Sequence, residues 1–271
     1  MPLDALTEAL AILTIGLGAG LIGGMTGLGG SIIMLPGLAF VLGFADESHI
    51  EQHLYMAAAM LVNFLVAVPA TWRHQRAGAI RRDVLLRLLP PSGVAMVGGV
   101  LLSNRLDPEV LIRLLAGMIV LFVVVGELST RLLRREGVPD DRPLPTAAGR
   151  AVLGTGAVTG VLAGLLGIGG GVIMVASLRA VAMLRVRAAI AASAAAMCLI
   201  APVGAGVKLA TLDQHGLAAV DAVRIAGLMG PAAVLGALAG SSLVHRLPRT
   251  AIRWVVNVVL LVAAARLAGL L

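Results

Sequence analysis

Apolar residues run through most of the chain in ten stretches, separated by short breaks of charged, glycine or proline residues. Stretches of this length with few charges are typical of helices that cross or enter a bilayer. Helices are expected because a chain in lipid must satisfy its backbone polar groups internally. The ten predicted segments cover residues 5–24, 28–43, 54–70, 84–103, 110–128, 151–166, 168–184, 189–206, 222–243 and 254–270.

Composition indicates the same class. Of the 271 residues, 59% are hydrophobic and 13% are charged, whereas a soluble domain has about 25% charged residues. The net charge of +7 is spread between apolar runs, which is how membrane proteins fix their orientation. We therefore expect a multi-pass protein of the cell (inner) membrane whose partner is the lipid bilayer, and no nucleic acid as a partner.

The chain divides into two similar halves. A basic connector at residues 129–150 separates a first repeat, 1–128, from a second, 151–271. The ordered run Gly-x-Gly-Gly-x-x-Ile-Met occurs in both, which indicates a duplication. At an offset of 140, Gly16, Gly20, Gly24, Gly27, Gly29, Gly30, Ile33 and Met34 fall on Gly156, Gly160, Gly164, Gly167, Gly169, Gly170, Ile173 and Met174.

The basic residues indicate how the halves are oriented. If each half has five segments, the loops near 71–83, 129–150, 179–187 and 244–253 share one side and hold fifteen arginines, against five basic residues on the other. Treating each glycine-broken stretch as one span gives twelve against eight, so the positive-inside rule favours five segments. An odd number of segments per half inverts the second repeat, as in many secondary transporters.

The predicted fold class is therefore an all-α polytopic membrane protein. It contains two inverted repeats, each of about five membrane segments including a glycine-broken helical hairpin. The sequence leaves open whether each break is a re-entrant hairpin or a turn between full spans.

Two sets of glycines recur every four residues. Residues at this spacing share one helical face and allow two helices to approach closely. We assign a packing role to them, namely to Gly16, Gly20, Gly24, Gly156, Gly160 and Gly164.

The glycine-rich breaks at residues 24–31 and 164–171 are expected to interrupt the helices rather than to pack them together. Each glycine disfavours helix by about 1 kcal/mol relative to alanine, and unwound backbone at membrane depth must be buried in protein or line a cavity. The helix that follows each break points free N–H groups and a positive dipole end into it, which suits a small anion. A tight turn that packs two hairpins is the alternative. The candidate binding residues are Thr26, Gly27, Gly29, Gly30, Ser31, Gly167, Gly169, Gly170 and Gly171.

Residues 20–36 and 160–171 resemble the two signature segments of the TauE/SafE family of sulfite-exporter-type membrane transporters. The resemblance extends to the length, the two halves and the basic connector. It implies transport of a small, sulfur-containing anion such as sulfite, thiosulfate or an organosulfonate, with no cofactor. In the second copy, Ala176 occupies the position that corresponds to Pro36. The two breaks therefore need not bind identically.

Two polar residues lie in the middle of apolar segments, where they are costly. Asn63 and Ser193 occupy corresponding segments of the two halves and are further candidates for substrate binding. A hydrogen bond between helices is the alternative for each. Asn257, in the last segment, is interpreted as a packing residue.

Two aspartates begin equivalent segments and are candidates for gating the entrances on opposite faces. Arg87 follows Asp83 by four residues, and Arg224 follows Asp221 by three. A helix N-cap combined with a helical ion pair explains both aspartates without a functional role.

Two other functions are alternatives. His49 and His53 lie one helical turn apart near Asp46, Glu47 and Glu51, which fits a divalent metal-ion carrier or merely a solvated loop; we assign no metal site. An intramembrane enzyme acting on a lipid or phosphate substrate needs acids or bases near the midplane, and the breaks contain none, so no catalytic residue is assigned. The sequence leaves a homo-oligomer, the direction of transport and the coupling ion open.

Overall fold

The computed structural model of the chain describes residues 5–26, 30–132, 145–180, 182–243 and 249–269. The regular elements in these ranges are helices, and each of the ten predicted segments corresponds to one α-helix. The all-helical class is therefore confirmed. The helices are α1 (Ala5–Thr26), α2 (Ser31–Val41), α3 (Glu51–Arg76), α4 (Arg82–Ser103), α5 (Pro108–Leu132), α6 (Thr146–Leu166), α7 (Gly171–Ala180), α8 (Val186–Ala210), α9 (Ala219–Leu243) and α10 (Arg249–Leu267), with a 3₁₀ helix at Leu212–His215 before α9.

The helices are longer than the apolar stretches that predicted them. The segment predicted at 54–70 is the centre of α3, which continues at both ends through polar and charged residues. Likewise α5 runs to Leu132 and α6 begins at Thr146, so both ends of the predicted connector are helical, and its residues 133–144 lie outside the described ranges. Hydropathy marks only the part of a helix that lies in hydrocarbon, whereas charged ends extend into the interface.

Seven of the helices are long and apolar enough to cross a membrane: α1, α3, α4, α5, α6, α8 and α9. In contrast, α2 has 11 residues and α7 has 10. At 1.5 Å per residue each short helix extends about 15 Å, half of a hydrocarbon core of about 30 Å. These two helices therefore reach only part of the way through a bilayer.

The outer surface of the bundle is apolar. Large hydrophobic side chains such as Leu6, Val94 and Leu235 are exposed to 72%, 78% and 63%. A continuous surface of this kind would not be stable in water. Lipid chains can cover it, which agrees with a multi-pass membrane protein.

The first helix of the chain packs closely against α9. A Cβ atom at Gly16 would lie 2.5 Å from the carbonyl oxygen of Met229, and one at Gly24 would lie 2.2 Å from that of Ala237. The contact positions advance together along both helices, so α1 and α9 run parallel. The predicted packing role is confirmed for the glycines of α1, including Gly20.

The first helix of the second half makes the equivalent contact. In α6, a Cβ at Gly156 would lie 2.7 Å from the carbonyl oxygen of Leu88 and one at Gly164 2.2 Å from that of Met96, both in α4. These helices are also parallel, and the packing role is confirmed for the glycines of α6, including Gly160. The first helix of each half thus packs against the fourth helix of the other half: α1 packs against α9, and α6 packs against α4.

The short helix α2 runs back along α1. Gly30, just before α2, faces the carbonyl oxygen of Ala19, and Gly37 faces the side chain of Ile15. The contact moves backwards along α1 as α2 advances, so the two helices are antiparallel. The other short helix, α7, also contacts α6, the helix that precedes it.

The connections gather at the two ends of the bundle. At one end the Arg187 guanidinium donates a 3.0 Å hydrogen bond to the carbonyl oxygen of Ala77, which joins the α3–α4 connection to the start of α8. At the other end a cavity is lined by residues that follow α2, α4 and α8, among them Glu47, Asn104 and His215. The helices α3 and α8 pack against each other between these ends.

Candidate functional site

The two glycine-rich breaks contact each other inside the bundle. The hydroxyl of Ser31, the first residue of α2, donates a 2.6 Å hydrogen bond to the carbonyl oxygen of Ile168 in the second break. Both residues are buried, at 1% and 3% exposure. Segments that are 137 residues apart in sequence therefore share one site.

The second break has a backbone that suits glycine. The φ angles of Gly167, Gly169 and Gly170 are +72°, +65° and +71°, in the left-handed region that L side chains rarely adopt. The N–H of Gly167 bonds to the carbonyl of Ala163 at 2.9 Å and ends α6. The helix resumes only at Gly171, so the chain is non-helical between α6 and α7.

Asn63 lies against this backbone from α3. A Cβ atom at Gly169 would lie 2.7 Å from Asn63 Nδ2, so the amide group and the break are in contact. Asn63 is fully buried, yet neither its Nδ2 nor its Oδ1 has a hydrogen-bond partner. An unsatisfied buried polar group costs about 1–3 kcal/mol. Such a group is expected where a ligand supplies the missing partner.

Ser193 approaches the same region from α8. Its hydroxyl donates a 3.2 Å hydrogen bond to the carbonyl oxygen of Gly171, the first residue of α7. Together Ser31 and Ser193 occupy the carbonyl oxygens of Ile168 and Gly171, which would otherwise repel an anion. The first N–H groups of α2 and α7 have no carbonyl one turn earlier within their helices. The start of each short helix therefore offers donors, and Asn63 adds an unpartnered donor, Nδ2, and an unpartnered acceptor, Oδ1.

The remaining glycines of the breaks, as far as they are described, pack against protein. Gly167 faces Met56 of α3, and Gly170 faces Thr159 and Ala163 of α6. Gly30 packs against α1 and the Met34 methyl group. These glycines allow the break to fit between helices, whereas Asn63 and the two serines carry the polar groups of the site.

For three candidate binding residues of the first break, the structure shows no contact with the second break. Thr26 is the last residue of α1. Gly27 and Gly29 lie outside the described residues. The structure therefore shows the first break only from Gly30 onwards.

The predicted N-cap role of Asp83 and its predicted ion pair with Arg87 are both wrong. Its carboxylate pairs with Arg81, at 2.7 Å between Nη2 and Oδ2 and 3.2 Å between Nε and Oδ1, and not with Arg87. The N-cap of α4 is Arg81, so Asp83 lies within the first turn. A guanidinium that directly precedes the helix can reach the carboxylate with two hydrogen bonds, which a single-contact helical pair does not provide.

Asp221 also departs from the expected N-cap and ion pair. It is the third residue of α9 and is exposed. The ion pairs found in the described part of the chain do not include Asp221 with Arg224. The N-cap interpretation is wrong because α9 begins two residues earlier, at Ala219.

The histidine pair does not form a metal cluster. Within the described ranges, no three His, Cys, Asp or Glu side chains converge on a point that could hold a metal ion. His53 is fully buried in α3, and its Nδ1 lies 2.6 Å from Lys208 Nζ. The alternative of a solvated loop is therefore wrong for His53.

Lys208 is a buried polar residue that the sequence did not single out, since it is one of the five basic residues counted on the side with fewer basic residues. It lies in the last turn of α8 and is fully buried. Its Nζ contacts Ser103 Oγ at 2.9 Å and Asn104 Oδ1 at 2.6 Å, besides His53. The available signal was a lysine at the end of an apolar helix together with two polar residues at the end of α4.

Comparison with known proteins agrees with the membrane architecture. A family model described as sulfite exporter TauE/SafE matches residues 12–267. The probable membrane transporter protein MamO of Paramagnetospirillum magneticum is 24% identical over 276 residues, and that of Magnetospirillum gryphiswaldense is 26% identical over 273; each alignment covers 90% of this chain. A probable membrane transporter protein of Haemophilus influenzae is 26% identical over 169 residues, which is 61% of this chain and 60% of that protein.

The chain spans less than half the length of the two MamO proteins, 42% in each case. No solved structure matches the chain.

Proposed function

The chain belongs to the sulfite exporter TauE/SafE family, and we propose that it carries a small, sulfur-containing anion between its two glycine-rich breaks. Seven candidate spans and the membrane-transporter relatives make it a multi-pass integral membrane protein. It is a transporter and not an enzyme. The proposed substrate class comprises sulfite, thiosulfate and organosulfonates.

The unpartnered amide of Asn63 is the observation that carries the proposal. It is buried where the two breaks are in contact, beside Gly169. Its Nδ2 can donate to an anion that also accepts from the first N–H groups of α2 and α7. Neutral donors of this kind can bind an anion and release it again, which a transporter needs.

The packing of the helices supports inverted repeats. The helices α1 and α6 correspond by sequence, yet they begin at opposite ends. A Cβ at Gly149, near the start of α6, would lie 2.0 Å from the guanidinium of Arg87, near the start of α4. In contrast, α1 runs parallel to α9, which follows His215 at the other end. In this arrangement α2 forms a hairpin with α1 and α7 forms a hairpin with α6, and the two hairpins approach the centre from opposite sides.

In the proposed orientation, the arginine-rich end lies on the cytoplasmic side of the cell (inner) membrane. That end holds the α3–α4 connection and the start of α8, including Arg81 and Arg187. The positive-inside rule assigns such connections to the cytoplasmic side. Asp83 lies in the first turn of α4 at this end and Asp221 in the first turn of α9 at the other, so each is proposed to line one entrance.

Anion flux in proteoliposomes tests the proposal. Purified protein is reconstituted, and the movement of sulfite, thiosulfate and a short alkyl sulfonate is measured against protein-free vesicles. At least one anion is expected to move. Asn63→Leu, which removes both polar atoms but keeps the size, should abolish the flux, whereas the matched Asn257→Leu in α10 should retain it.

The outcome is informative only if the protein is folded, which circular dichroism checks. Folded wild-type protein that moves none of these anions would overturn the proposal. Flux that is unchanged in Asn63→Leu would instead overturn the assignment of the site.

A further inference from the structure

Lys208 is a buried lysine at the end of the bundle that holds the cavity. Lys208 Nζ has three acceptors, His53 Nδ1 at 2.6 Å, Ser103 Oγ at 2.9 Å and Asn104 Oδ1 at 2.6 Å. A protonated amine has three N–H donors and no lone pair, so these three acceptors match the ammonium form.

Among the described residues, no carboxylate forms an ion pair with the ammonium. In the parts of the chain that the structure describes, the ion pairs join Arg81 with Asp83 and Arg113 with Glu109. The partners of Lys208 are all neutral. A buried charge without an opposite charge is costly, and a bound anion would supply that charge.

Three further polar atoms around the lysine have no partner. They are Nε2 of His53, Nε2 of His215 and Nδ2 of Asn104. Because His53 Nδ1 accepts from the ammonium, its Nε2 carries the proton. The His215 ring stacks on His53 with centroids 3.9 Å apart. Burial lowers the pKa of His215, and the charge of Lys208 lowers it further, so His215 is neutral at pH 7 and has one N–H.

These groups adjoin a cavity of about 510 Å³ that is open on one side. His53, Asn104 and His215 all line it, and Arg105 adds a second positive charge. Its rim also carries three carboxylates. Among them, Asp107 accepts a 2.9 Å hydrogen bond from the backbone N–H of Glu109, and Glu109 is paired with Arg113. Glu47 is the third carboxylate of the rim.

We propose that this cavity is a second anion site, in which a small oxyanion accepts hydrogen bonds from His53, His215 and Asn104, while Lys208, buried behind His53 and Asn104, supplies the opposite charge. It is distinct from the break site, because His53 precedes Asn63 by ten residues on α3, about 15 Å along the helix. A role of this site as a station on the transport route rests on the proposed function, whereas binding itself does not.

Thermal unfolding of the purified full chain tests the proposal. Stabilisation by sodium sulfate and sodium sulfite is measured against sodium chloride at equal ionic strength, since a ligand of the folded state raises apparent stability. The measurements use Asn63→Leu protein, in which the break site is disabled. Lys208→Met in this background should weaken anion binding by about tenfold or more.

Two additional variants make the result specific. Arg224→Met removes one exposed positive charge near the start of α9, outside the cavity, and should change the apparent Kd by less than about twofold. His215→Phe keeps a ring stacked on His53 but removes the nitrogens, and should weaken binding by about threefold to tenfold. This variant also covers the case in which Lys208→Met does not fold.

The outcomes separate the two sites. Anion stabilisation that depends on Lys208 or His215 but persists in Asn63→Leu supports the second site. Stabilisation that Asn63→Leu abolishes, and that Lys208→Met and His215→Phe leave unchanged when each is made alone in the otherwise wild-type chain, overturns the second site and leaves the proposed function standing. The absence of any stabilisation by either anion in folded Asn63→Leu protein overturns the second site as well.

Discussion

Ser31 and Ile168 are joined by a 2.6 Å hydrogen bond from the hydroxyl of one half to the backbone of the other. Ser31 begins α2, and Ile168 lies in the break before α7. The bond therefore links the two places where the membrane helices are interrupted. It also occupies a carbonyl oxygen that would otherwise face the proposed anion.

Ser31→Ala should weaken transport more than it weakens the fold. The change leaves the Ile168 carbonyl without its partner and costs about 1 kcal/mol of stability. It also exposes an acceptor beside the anion, so the flux should fall. Flux in proteoliposomes and the thermal midpoint are measured together.

Ser92→Ala is the matched control for this change. Ser92 is also fully buried, but its hydroxyl bonds to the Leu88 carbonyl within its own helix, α4. It should retain wild-type flux. Equal loss of flux in both variants would mean that the bond between the breaks has no special role.

Asn63→Leu should raise the stability of the empty protein while it removes transport. The two polar atoms of Asn63 are buried without partners, so an apolar side chain of similar size relieves a cost of about 1 kcal/mol. Functional groups that lack partners commonly trade stability for activity in this way. The thermal midpoint is measured in detergent without added anion. A lower midpoint would mean that Asn63 has a structural partner.

Much of the fold could be predicted because hydropathy directly reports burial in lipid. All ten apolar segments are helices, and the glycines spaced by four contact neighbouring helices, as Gly20 and Gly160 do. Which helices pair could not be predicted, because glycine spacing identifies a packing face and not its partner. The antiparallel return of α2 likewise depends on contacts between distant positions, such as Gly37 with Ile15.

The candidate site was predictable where a polar residue stood out against an apolar segment. Asn63 and Ser193 were found in this way, and both contact the second break. Lys208 was missed because it lies near a helix end, where a lysine is usually solvated. Its burial results from residues of α3 and α4 that fold over it, such as Asn104, and spacing along α8 cannot show them.

Gly169→Ala should abolish transport. A Cβ there would lie 2.7 Å from Asn63 Nδ2, and the φ of +65° is strained for alanine by about 1–2 kcal/mol. Gly78→Ala controls for backbone strain, because Gly78 has a φ of +63° with open space around it. Both variants should lose the stability that the φ strain costs, Gly169→Ala should lose more because of its contact with Asn63, and only Gly169→Ala should lose flux. Wild-type flux in Gly169→Ala would show that the break is a structural turn.

Asp83→Asn should destabilise the protein by about 1 kcal/mol, because the change removes the charge that pairs with Arg81. Arg81 is only 8% exposed, whereas the Asp83 side chain is 40% exposed. Asp221→Asn is the control, since Asp221 is exposed, and it should change stability by less than about 0.5 kcal/mol. Thermal unfolding at low and high salt measures both. Equal effects of the two changes would contradict a specific pair at Arg81.

Gly20→Ala should disrupt the contact between α1 and α9. A Cβ at this position would lie 2.0 Å from the carbonyl oxygen of Ala233, and backbone cannot move aside as a flexible side chain can. The helices must therefore separate, at a cost of about 1–3 kcal/mol. Gly18→Ala, on the same helix with open space around it, should instead leave stability unchanged or raise it by up to about 1 kcal/mol. Thermal unfolding of both variants measures the difference, and a Gly20→Ala midpoint equal to that of Gly18→Ala would show that α1 and α9 do not pack closely at Gly20.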